Sequence, residues 1–79
     1  MQEIIDILKT WIDFARARGL TDKAKEFWLL WDFAAGDMDD NYYKKHHPEA
    51  VKILSCLDLE KPQCKIIYDS LIEVVKKYE

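Results

Sequence analysis

The sequence predicts an all-α fold: a compact antiparallel bundle of four main helices, with a short extra helix at 38–46 as a further element. Three observations carry this. Glycine and proline number only two each, and long helical periods separate them. Hydrophobic residues are 49% of the 79 positions and charged residues 34%, a generous core supply with no long polar tract, which argues against disorder. The stretch from Phe27 to Gly36 holds two of the three tryptophans and two of the three phenylalanines, and a helix so apolar is normally covered by its neighbours. Residues 1–79 read as one domain, short enough for its stability margin to be small.

The first helix is expected from about Gln2 to Arg18. Ile4, Ile5, Leu8, Trp11, Ile12 and Ala15 share a face, widened by Ile7 and Phe14, against a wet face of Glu3, Asp6, Lys9, Thr10, Asp13 and Arg16. Gly19 suits the left-handed position that ends a helix, with Leu20 folding back. Thr21 is then the expected cap of the second helix, which Gly36 ends. The link from Arg18 to Thr21 is short, so these two helices form an antiparallel hairpin. In the second helix Phe27, Trp28, Trp31, Ala34 and Ala35 point one way and Leu29 and Phe33 roughly the other.

Asp37 is a candidate cap for a short helix ending before Pro48, since proline disfavours helical geometry in the residue before it and fits the start of a helix. A brief helix from Pro48 to about Leu57 would present Ala50, Val51, Ile53, Leu54 and Leu57 inward. Pro62 opens the last helix, whose inner face is Cys64, Ile67, Tyr68, Leu71, Val74, Val75 and Tyr78. Glu73 stands four residues before Lys77, the spacing of a helical ion pair.

The chemistry is mostly exclusion. A net charge of −3 with pI about 5.3 disfavours direct nucleic-acid binding, which needs basic residues gathered on one face. A helix-turn-helix reading of the Arg18–Thr21 link fails because the helix after it is the most apolar in the chain. Asp37, Asp39 and Asn41 have the opening spacing of an EF-hand loop, but Tyr42 stands where the loop needs glycine, and Pro48 where it needs its bidentate glutamate. His46, His47, Cys56 and Cys64 are donors suited to a transition metal, although no pair has the close spacing of a zinc site. Phosphate loops and hydrolase or metalloprotease motifs are missing, and Cys56 with His46 or His47 is a nucleophile–base pairing in principle. The expectation is therefore no catalysis, no cofactor and no resident metal. No apolar run reaches the roughly 20 residues that span a bilayer, and the N-terminus lacks the pattern of a signal peptide, so a cytoplasmic protein with reduced thiols is expected.

What remains is surface. Leu29, Phe33, Tyr42 and Tyr43 are candidate anchors for a protein partner, with Asp37, Asp39 and Asp40 as a charged rim directed at a larger, basic one. In size, acidity and helicity the chain is similar to helical bacteriocin-immunity proteins and small phage-encoded inhibitors, a likeness of type that implies a small inhibitor or modulator. The rival expectation is an obligate homodimer that completes its core with a second copy, and a third is a metal-binding helical protein using the two histidines and two cysteines.

Overall fold

The computed structural model describes all 79 residues and contains four helices and no strand. They are α1 (Gln2–Ala17), α2 (Thr21–Ala35), α3 (Asp40–Ser55) and α4 (Pro62–Lys76). None is long and apolar enough to cross a membrane. The expected bundle is what forms. Helices α2 and α4 each pack against all three others, whereas α1 and α3 make no close backbone approach and occupy opposite corners.

Helix α1 contributes Ile4, Leu8, Ile12 and Ala15 to the core, the stripe its periodicity predicts. Phe14 does not join it, being 55% exposed with the Arg18 guanidinium 3.9 Å from its ring centre. The helix stops as expected. Gly19 takes φ +71°, and the Leu20 and Gly19 amides donate to the carbonyls of Ala15 and Arg16, closing the last turn. Gly36 ends α2 in the same left-handed conformation.

Three local expectations are corrected. Thr21 is the first residue of α2, not its cap; the cap position falls on Leu20, which offers no side-chain acceptor. Asp39 rather than Asp37 caps α3, accepting the Tyr42 amide at 2.9 Å. Most consequentially, residues 38–46 are not a separate short helix. Helix α3 runs straight through Pro48. Proline has no N–H to give the carbonyl four residues back, which is that of Lys44, and the His47 ring nitrogen Nδ1 lies 3.4 Å from that oxygen instead. The buried faces before and after the proline, Tyr43 and then Ala50, Ile53 and Leu54, keep one register and hold the helix together.

Helix α2 corrects the aromatic picture too. Its most buried residue is Leu30, fully inaccessible, with Leu29, Phe33 and Ala34 beside it. At 100° per residue Leu30 lies midway between the two faces read from the sequence, with Leu29 and Phe33 on one flank and Phe27 and Trp31 on the other. Trp28 falls outside and is 46% exposed, stacked on Trp31 at 5.2 Å and 12°. So α2 is central, but its centre is aliphatic. Helix α4 buries Ile67, Leu71 and Val75 completely. Glu73 and Lys77 form no ion pair; the pair on this helix is Lys65–Asp69 at 3.2 Å. No charged or polar residue is buried, and Trp31 Nε1 is the single buried side-chain polar atom without a partner.

Candidate functional site

The turn from Gly36 to Asp39 joins α2 to α3, and it and the first turn of α3 together hold Asp37, Asp39, Asp40, Tyr42 and Tyr43 of the candidate partner-binding residues. It is too short to have an interior, so Asp37, Met38, Asp39 and Asp40 are all exposed. The three carboxylates form no ion pair with any lysine, arginine or histidine. Met38, 42% exposed, stands among them as an apolar tip.

Behind this acidic edge two tyrosines face inward. The Tyr43 hydroxyl accepts the Met38 amide at 3.0 Å and donates to the Asp32 carbonyl at 2.8 Å, so one buried oxygen ties the turn to the end of α2. The Asp32 carbonyl also receives the Gly36 amide at 3.0 Å. The Tyr42 hydroxyl donates to the Asp32 carboxylate at 2.8 Å. Burial, then the hydrogen bond and negative charge of Asp32, push the Tyr42 phenol up to about 12; burial raises that of Tyr43 as well. The Tyr43 ring packs on Phe33 at 4.8 Å and on Tyr78 at 5.0 Å, which fixes its hydroxyl where the turn needs it.

The anchors expected from the sequence therefore separate. Leu29, Phe33 and Tyr43 are 7%, 3% and 3% exposed; they are core and cannot touch a partner from the folded chain. The reason is the burial of both flanks of α2 around Leu30. Tyr42 is half-buried and positions rather than contacts. Asp37, Asp39 and Asp40 are on the surface, and so is Met38, an apolar side chain that sequence reasoning passed over. Its signal was its place: a methionine inside a turn of aspartates has no core to enter.

The surface has two main concavities. One, of about 490 Å³, follows from the separation of α1 and α3 and is lined by Ile12, Arg16, Trp28, Asp32, Tyr42, His46 and others. The second, of about 680 Å³, lies at the far end of α2 and is mainly apolar. His46 lines the first and Cys64 the second, and Cys56 lines neither. His46 packs against the Tyr42 ring at 4.4 Å, while Cys56 closes the same helix ten residues on, about 15 Å away along its axis at 1.5 Å per residue. Cys56 is exposed and Cys64 half-buried, both unpaired. No three His, Cys, Asp or Glu side chains converge as metal ligands.

Compared with family models, curated proteins and solved structures, the chain matches none.

Proposed function

We propose that this chain is a non-catalytic protein-binding module, a small inhibitor or modulator that sets its acidic turn on a basic face of a larger protein. The observation that carries the reading is the turn itself: three unpaired carboxylates around an exposed Met38, pinned from behind by the Tyr43 hydroxyl. Unpaired charges on one edge raise the rate of encounter with an opposite surface. A methionine tip adapts to an irregular apolar contact. A turn already held in place loses little conformational freedom on binding, which leaves more of the contact energy as affinity. Two free thiols fit a reducing compartment, and we read the site of action as the cytoplasm.

The test is differential capture from the native host. The chain and its D37N/D39N/D40N variant are immobilised side by side, and retained proteins are quantified by mass spectrometry. Asparagine caps a helix as well as aspartate does, so the variant keeps α3. A basic protein held by the parent chain and lost from the variant supports the reading. An identical set on both removes the turn from it.

A further inference from the structure

The other end of α2, some 20 Å from the acidic turn at 1.5 Å per residue, carries a surface of opposite character. Trp11, Phe14, Leu20, Phe27 and Leu57 line a groove of about 680 Å³, with Phe14 55% and Leu20 48% exposed at its edge. Trp11 and Phe27 meet at 5.3 Å, and the Trp11 indole N–H reaches the Gln63 amide oxygen of α4 at 3.4 Å. An apolar groove of this make-up on a small domain is an interaction surface.

Its charge selects the occupant. Lys23 and Lys61 are the only charged residues lining it, and no carboxylate does. Lys61 has no ion-pair partner, and Lys23 has only the half-buried Glu26 at 3.5 Å. Arg18 adds a third cation at the edge, held over Phe14. Helices α2 and α4 both begin here, and neither cap residue, Leu20 or Lys61, supplies a side-chain hydrogen bond. Residues of both starts line the groove, so two positive dipole ends lie beside it, that of α2 partly offset by Asp22 in its first turn. The groove is open rather than closed over, which would leave a fatty-acid chain largely wet, but suits a helix laid along it.

We propose that this groove docks an amphipathic helical segment of a partner protein, with apolar residues three and four apart against the aromatics and carboxylates toward Lys23, Lys61 and the two helix starts. The site is independent of the acidic turn, so the module has two ends that recognise opposite charges.

The experiment selects a display library of 16-residue helical peptides, unbiased in charge, on the intact chain, with counter-selection on the F14S/L20S variant. Both positions are exposed, and circular dichroism checks that the variant folds. Enriched peptides are expected to carry an apolar stripe and net negative charge. In a C56S background they should slow alkylation of Cys64, which lines the groove. K23E/K61E should weaken such a peptide by about tenfold, as two exposed pairs turned from attraction to repulsion allow, and should favour its Glu→Lys counterpart. Enrichment of neutral or basic peptides, or enrichment that F14S/L20S does not abolish, overturns the proposal. So does protection of Cys64 by dodecanoate but by no peptide. Sedimentation of the intact chain as a dimer that F14S/L20S dissociates would assign the groove to a second copy and likewise overturn it.

Discussion

Replacing Tyr43 by phenylalanine isolates the contact on which the acidic turn depends. The ring stays against Phe33 and Tyr78, so no cavity opens. Only the hydroxyl is lost, and with it the bonds to the Met38 amide and the Asp32 carbonyl. Each such bond contributes about 1 kcal/mol net, giving a loss of about 2 kcal/mol. For a domain of this size that lowers Tm by about 8–16 °C, readable by circular dichroism. The local consequence is more specific. The Met38 amide loses its partner and should exchange with solvent freely, while amides in the middle of α1 and α4 change only as far as global stability does. A Tm within about 2 °C of the parent, with the Met38 amide still protected, would show that something other than Tyr43 holds the turn.

Three further outcomes follow from the same structure. The Tyr42 phenol titrates near 12 in the folded chain against about 10 unfolded; since the folded value is the higher, its stabilisation is complete below pH ~10 and declines as pH rises through about 12. Y42F should flatten that alkaline decline in a stability–pH series, and an unaltered decline would contradict the raised phenol that burial and the Asp32 contact produce. P48A restores an N–H for the Lys44 carbonyl and should stabilise α3 by about 1–2 kcal/mol after the added unfolded-state entropy; a lower urea midpoint would mean the proline is required. Leu30→Ala should cost about 2–5 kcal/mol, but Trp28→Ala only about 1. Equal costs would return the tryptophans to the centre of the bundle.

The helix count, the two glycine stops and the inner faces of α1 and α4 were legible because each rests on local chemistry. Gly19 and Gly36 sit at φ +71°, where a side chain is strained, and a stripe of Ile and Leu at helical spacing has one side to hide. Helix α2 was harder for the opposite reason. Apolar residues nearly surround it, so its pattern has no sharp centre, and Leu30 was lost between two apparent faces. Pro48 misled because the rule against helical geometry before proline is a local one; here the common buried register of Tyr43 and Ala50 overrides it. Of the candidate site, the aspartates were readable as a polar turn after a glycine stop. The inward turn of Tyr42 and Tyr43 was not, since their acceptors belong to Asp32, in the last turn of the preceding helix, and only the hairpin geometry brings them near. Phe14 left a faint trace in Arg18, four residues on, the spacing that lets a guanidinium cover a ring.

The most direct measurement on the central claim is the association rate of the captured partner across a range of ionic strength, for the parent chain and for D37N/D39N/D40N. An acidic turn that leads docking gives a fast rate that falls steeply with salt in the parent, and a slower, nearly salt-independent rate in the variant. Two curves of equal height and slope would contradict the account, whatever the affinity.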